Sequence, residues 1–159
     1  MTTWSQFSAS DPALAASIAA LLHQYGPGMA YLATVRPDGG PRLHPVSPVI
    51  TDEGLYCFLV DSPKRRDLER DGRYALHSYP SEEVDDEAYL TGVATPVLDV
   101  PLMRRLASTY DAAPHGNWKL FEFTVEVAML ATYRSRGGWP PEYRSWRAQE
   151  SGRVADRVQ

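Results

Sequence analysis

The chain has 159 residues and a formal charge of −4, a length that suits one domain with a substantial core. That charge argues against general nucleic-acid binding, which requires a basic face. A single cysteine, Cys57, excludes an intrachain disulfide framework and a multi-cysteine metal site.

The opening residues lack the basic region and long apolar stretch of a signal peptide. No segment approaches the ~20 apolar residues needed to span a bilayer. The expectation is a soluble, cytoplasmic protein with neither membrane nor nucleic acid as partner. Asp11-Pro12 opens a helix whose apolar residues Leu14, Ile18, Leu21, Leu22 and Tyr25 keep a helical period. Gly26-Pro27-Gly28 ends it. Residues 30–36, 42–50 and 55–60 then read as strands joined by turns at 37–40 and 51–54, an antiparallel meander. Cys57 lies in the third of these, where its expected role is that of a small buried apolar side chain.

The next element carries the strongest signal. Ser62 is a good N-cap and Pro63 suits the first helical position. Lys64, Arg65 and Arg66 follow in the opening turn, where the helix dipole already makes the terminus positive and favours Asp or Glu. An anion bound from outside would relieve the conflict, and free N–H groups at a helix start suit phosphate. The chain has fourteen arginines and only two lysines, one of them Lys64. The competing reading is a purely structural cluster that pairs with Asp67, Glu69 and Asp71.

The helix is expected to end near Gly72, with a fourth strand over 73–79. His77 and Tyr79 alternate there, as half-buried sheet residues or facing a ligand. The acidic stretch 81–87 reads as a solvated turn, 88–95 as a fifth strand, and 101–110 as a helix with Leu102, Leu106 and Tyr110 at four-residue spacing. After a loop at Pro114, His115 and Gly116, residues 120–133 read as a long sixth strand that bends or carries a bulge. Trp139, Tyr143 and Trp146 make an aromatic stretch without clear periodicity, either packed on the domain or capping a partner subunit's cofactor. The domain is expected over 1–148, with a polar tail over 149–159. Six strands, three helices and hairpin connections predict a mainly β, α+β chain: an antiparallel barrel or sheet with peripheral helices. A Rossmann fold is disfavoured, and no Gly-x-Gly-x-x-Gly or P-loop motif follows a strand.

A second candidate site segment is Arg42-Leu43-His44-Pro45-Val46-Ser47. Pro45 and Pro48 lack N–H donors, so the strand is an edge, or its backbone is free to meet something other than a neighbouring strand. Arg42, His44 and Val46 share one face. His23, His44, His77 and His115 lack paired metal-ligand spacing, and no Gly-x-Ser-x-Gly elbow exists.

Together these pieces resemble the pyridoxamine-5′-phosphate-oxidase-like, FMN-binding split-barrel family. The matching parts are Leu32-Ala33-Thr34 with Asp38-Gly39, the strand from Arg42 to Ser47, the apolar strand 55–60, Ser62-Pro63-Lys64-Arg65 with Leu68, and 88–94. They span about residues 10–130. The resemblance implies a six-stranded antiparallel split β-barrel, a homodimer with two flavin sites at the interface. It places Ser62, Lys64 and Arg65 on the FMN phosphate and Arg42 near the phosphate or ribityl chain. His44, Pro45, Val46 and Ser47 would run along the isoalloxazine ring. It implies an oxidoreductase acting on a small molecule. Residues 133–147 lack the Arg-Leu-x-x-Arg segment of the true pyridoxine phosphate oxidases, so pyridoxine phosphate is not the expected substrate. A deazaflavin cofactor, and a non-catalytic binder of flavin, haem or another tetrapyrrole, are the alternatives.

Overall fold

The computed structural model describes residues 1–24, 26, 28–110 and 117–149. Tyr25, Pro27, the loop at Pro114, His115 and Gly116, and the tail from residue 150 lie outside the described residues. In chain order the elements are α1 (Trp4–Ser10), α2 (Pro12–Leu22), β1 (Ala30–Val35), β2 (Pro41–Val46), β3 (Pro48–Ile50), β4 (Leu55–Val60), α3 (Pro63–Arg70), β5 (Arg73–Ser78), β6 (Glu87–Pro96), α4 (Val100–Tyr110), β7 (Trp118–Phe123), β8 (Val127–Thr132) and β9 (Glu142–Arg147). The fold is mainly β, a curled antiparallel half-barrel with helices at its margins.

Among the described residues nine strands replace the expected six, for three physical reasons. The expected strand 42–50 breaks at Ser47, between two proline-bearing halves, so β2 and β3 pair with different neighbours. The expected strand 120–133 breaks at residues 124–126 into β7 and β8, which is the anticipated bend carried to completion. β9 pairs along the whole of β8, although its charged, mostly exposed sequence carries no alternation. A fourth helix, α1, is closed by a capping box in which Thr3 and Gln6 satisfy each other's backbone.

The meander is also corrected. The sheet order is β2-β1-β5-β6-β7-β4-β3, with β8 joining β6 to β9. β2 and β3 are therefore consecutive in the chain yet stand at opposite ends of that order. Because only Ser47 separates them, the sheet must curl to bring its two ends together. The curl is also built into β6. Its first half pairs with β8 and its second half with β7. At the changeover the Thr124 hydroxyl donates to the Val93 carbonyl (2.9 Å), and the buried Tyr74 hydroxyl donates to the Thr124 carbonyl (2.9 Å). Gly92 makes this approach possible. A Cβ there would lie 1.9 Å from the Thr124 carbonyl oxygen.

Inside the curl, Leu32, Leu55, Leu90, Phe121 and Phe123 form one core with Leu14 and Ile18 of α2 and Phe7 of α1. Burying each aliphatic or aromatic side chain contributes about 1.5–3 kcal/mol. Trp146 of β9 meets Phe7 in a tilted ring contact with centroids 4.8 Å apart, so this member of the aromatic stretch packs on the domain. Outside the curl, Leu106 of α4 is buried with Tyr56 and Leu120.

One buried carboxylate fixes α3 against the sheet. Asp67 is 2% exposed and accepts from Thr34 Oγ1 of β1 (2.9 Å) and Arg42 Nε of β2 (2.7 Å). Arg70 approaches its other oxygen and also donates to the Val35 carbonyl. Desolvation is the largest influence on this carboxyl and pushes its pKa up. The hydrogen bonds from Arg42 and Thr34, the Arg42 charge and Arg70 together outweigh it and hold the pKa below the ordinary value.

Gly92→Ala is expected to destabilise the fold by about 1–3 kcal/mol, because the clash is with backbone that cannot rotate away; urea unfolding measures it. The depressed Asp67 pKa gives a pH signature. Its contribution is fully present above the unfolded carboxylate pKa of ~3.9 and is lost as pH falls through the lower folded value. Unfolding curves of wild type and Asp67→Asn should therefore differ by about 1.5–3 kcal/mol near pH 6 and converge toward pH 2.

Candidate functional site

Ser62 caps α3 as its sequence implies. Its hydroxyl accepts from the Arg65 N–H at 3.4 Å and donates to the Val60 carbonyl at 2.9 Å. The three cations behind it meet different fates. Arg66 pairs with Asp61 at 2.7 Å. Arg65, only 11% exposed, reaches Asp61 at 3.2 Å and donates to the Asn117 carbonyl at 3.0 Å. Its Nε is buried with no hydrogen-bond partner among the described residues, since Glu69 Oε1 stands 3.8 Å away. Lys64 is half-buried, and its side chain has neither ion pair nor hydrogen bond among the described residues.

The intrachain pairing thus differs from the anticipated one. Of the three acids proposed as partners, Glu69 approaches Arg65 but bonds to Lys119 at 2.6 Å. Asp67 serves Arg42 and Arg70, and Asp71 serves Arg73 at 2.6 Å. The acid that matters is Asp61, directly before the N-cap, and its adjacency to Ser62 was the signal available for it. It pairs with two of the cations, Arg65 and Arg66, and not with Lys64.

β2 is an edge strand, paired with β1 and otherwise ending the sheet. Arg42, His44 and Val46 lie half-buried on its inner face, while Leu43, Pro45 and Ser47 face outward and are exposed. Arg42 is tied to α3 through Asp67. His44 sits opposite Leu32, and its side chain has no hydrogen bond or ion pair among the described residues. Val46 packs on the main core.

The Ser47 carbonyl faces Cys57, whose thiol also feels the Lys64 charge. The Cys57 thiol lies 3.7 Å from the Ser47 carbonyl oxygen, which it faces as donor. Burial pushes the thiol pKa up to about 12; the Lys64 charge and the Ser47 carbonyl act in the opposite direction. Cys57 is therefore a buried thiol and not a nucleophile, while Lys64 is close enough for its charge to be felt there. The structure brings Arg42, Ser47, Ser62, Lys64 and Arg65 around α3 and the β2–β4 region. Pro45 stands on the opposite face of β2, beside Tyr31.

Two surface grooves lie elsewhere: one of about 440 Å³ between Trp4, Ser8, Ala16 and Ile50, and one of about 290 Å³ between Ala33, Pro41 and Tyr74. His77 and Tyr79 are half-buried on the sheet. Tyr79 stacks on Tyr31 at 4.3 Å, and His77 contacts Glu87 at 3.0 Å.

No protein-family model matches the sequence, and no curated protein matches it. Solved structures do. A protein related to general stress protein 26, of the pyridoxine phosphate oxidase family, from Clostridium acetobutylicum superposes with a TM-score of 0.62 at 14% identity, over 84% of this chain and 93% of that one. A haem-binding protein from Mycobacterium smegmatis gives a TM-score of 0.61 at 20% identity over 83% of this chain, which spans 57% of that protein's length. A candidate pyridoxamine 5′-phosphate oxidase from Listeria innocua gives 0.57 at 17% identity, over 70% and 92%. No described helix is long and apolar enough to cross a membrane. The curled sheet with its marginal helices is thus the fold of the pyridoxamine 5′-phosphate oxidase-like split-barrel proteins.

Proposed function

We propose that the protein is a flavin-dependent oxidoreductase that holds FMN by its phosphate at the start of α3 and works as a homodimer. Lys64 carries the reading. It is a half-buried cation in a helix turn whose dipole opposes it, and among the described residues nothing neutralises it. Phosphate matches both the charge and the N–H groups of that turn. The orphaned Arg65 Nε beside it fits the same ligand. The rest of the Arg65 guanidinium is committed to Asp61 and Asn117, which makes it a wall of the phosphate site and leaves Lys64 as its principal charge.

When bound, the flavin supplies the hydride or electron transfer. The chain supplies placement. Ser62 sets the direction of the helix start, and Arg42, fixed by Asp67, stands between α3 and β2. The outer edge of β2 offers backbone groups of residues 43–47 that no described strand uses, suited to a flat ring with hydrogen-bonding edges. Leu43 and Val60 are exposed apolar side chains flanking this region, a surface that a second subunit would cover. The substrate is a small molecule other than pyridoxine phosphate. A deazaflavin, with its own phosphate, meets the same cradle.

A second reading has its own observation. The His44 side chain is half-buried without a partner among the described residues, on the same face of β2 as Arg42, and suits a haem or another tetrapyrrole with acidic side chains. The similar Mycobacterium smegmatis protein is haem-binding. In that case the protein binds or senses its ligand without turning over a substrate.

Titration with FMN, the deazaflavin cofactor and haemin, followed by visible absorbance, separates these readings. Micromolar FMN binding is expected, weakened by about 1.5–3 kcal/mol in Lys64→Ala, or roughly ten- to a hundredfold in Kd. An unperturbed spectrum with both flavins would sink the primary reading, and haemin binding alone would establish the second.

A further inference from the structure

We propose that the groove between α1, α2 and the turn after β3 is a second ligand site, which takes a small amine with an apolar body. It shares no residue with the cradle at α3 and does not depend on a flavin. α1 and α2 are joined at Asp11, which ends the first helix and caps the second. Both send their large residues, Phe7, Leu14 and Ile18, into the curl. Beside the β3–β4 turn they carry small ones instead, Ser8 on α1 and Ala15, Ala16 and Ala19 on α2, with Ile50 and Asp52 on the facing wall. The space so left is the groove of about 440 Å³, within the usual size of small-molecule sites.

Two unmet bonding demands meet there. Trp4 is only 4% exposed and lines the groove, yet its indole N–H has no acceptor among the described residues. A buried indole N–H ordinarily finds one. The Ser8 hydroxyl is equally without a partner among the described residues, whereas the Ser5 hydroxyl is bonded to that of Thr3 at 3.0 Å. The second demand is charge. Asp52 is the one charged residue lining the groove, and its carboxylate has neither ion pair nor hydrogen bond among the described residues. The adjacent Glu53 differs, because Arg105 meets its carboxylate at 2.6 Å. Thr51 holds the turn in shape, its hydroxyl accepting from the N–H groups of Glu53 and Gly54 at 3.1 and 3.3 Å. The backbone that carries Asp52 is thereby fixed beside the groove.

The class of ligand follows from these groups. An ammonium supplies the charge that Asp52 lacks. A ring or short carbon body covers the alanines of α2 and Ile50, taking apolar area out of water. An oxygen on that body accepts from the Trp4 N–H. An acid of the same shape is refused, since its charge would face Asp52 with no cation in the groove to offset it.

Tyramine has all three parts, phenethylamine lacks the oxygen, and hydroxyphenylpropionate keeps ring and oxygen but reverses the charge. Each is titrated into the full chain and followed by two-dimensional NMR of the amide and indole N–H signals. Tyramine is expected to give saturable shifts at the Trp4 indole N–H and at the amides of Ala16 and Asp52. Phenethylamine should bind more weakly and move the indole signal less, and the acid should leave all three in place. Asp52→Asn should weaken tyramine binding about two- to fivefold, the scale of a solvent-exposed ion pair. Ala16→Leu, at an exposed helix position that accepts leucine readily, should fill the groove and abolish binding, while Lys64→Ala should leave it unchanged. No saturable shift with either amine, equal binding of the acid, or an affinity unaltered in Asp52→Asn or Ala16→Leu overturns the proposal.

Discussion

A buried aspartate decides where the cations of this protein can stand. Asp67 points from α3 into the end of the curled sheet and accepts from β1 through Thr34 and from β2 through Arg42. Removing a carboxylate from water is costly unless every lone pair finds a donor, and here charged and neutral donors supply them. The consequence is geometric. α3 is held with its first turn beside β4, Lys64 half-buried there, and Arg42 is fixed between helix and sheet. The candidate site inherits its shape from this one ionic anchor.

Curl is the second constraint. Proline residues in β2 and β3 prevent one continuous strand, and the short connection at Ser47 joins the two ends of the sheet order. Gly92 allows β6 to meet the bend between β7 and β8 at contact distance. The same broken strand that closes the half-barrel leaves the outer edge of β2 without a neighbouring strand among the described residues. Closure and an available backbone edge are thus two results of one sequence feature. The proline pattern serves the fold first and the proposed ligand second.

Much of this could be read from residue order, and the failures have physical causes. The N-cap at Ser62, the edge character of β2 and the shared face of Arg42, His44 and Val46 follow from local rules, and the structure shows each of them. The capping box at Thr3 and Gln6 was equally local, yet α1 went unrecognised because its seven residues are too few for a visible period. β9 offered no alternation at all, since five of its six residues are exposed and it is held by backbone pairing with β8. The role of Asp67 was hidden for a different reason. In a helix of alternating charges it reads as a partner for its own neighbours, and only the long-range approach of β1 and β2 reveals its true donors. The acidic stretch 81–87 is the partly exposed bend that its composition suggests, and what residue order hid is that Asp85 and Asp86 accept from the N–H groups of Gly137 and Tyr133.

The central claim is that the phosphate, and not the ring, anchors the cofactor at Lys64. Riboflavin is FMN without that phosphate, so the two ligands isolate the contact with no change to the protein. Isothermal titration of both into the intact chain at low salt is the most direct measurement. The account predicts that FMN binds at least tenfold more tightly than riboflavin and that added salt narrows the difference. Equal affinities would contradict it, leaving the basic turn of α3 without a ligand.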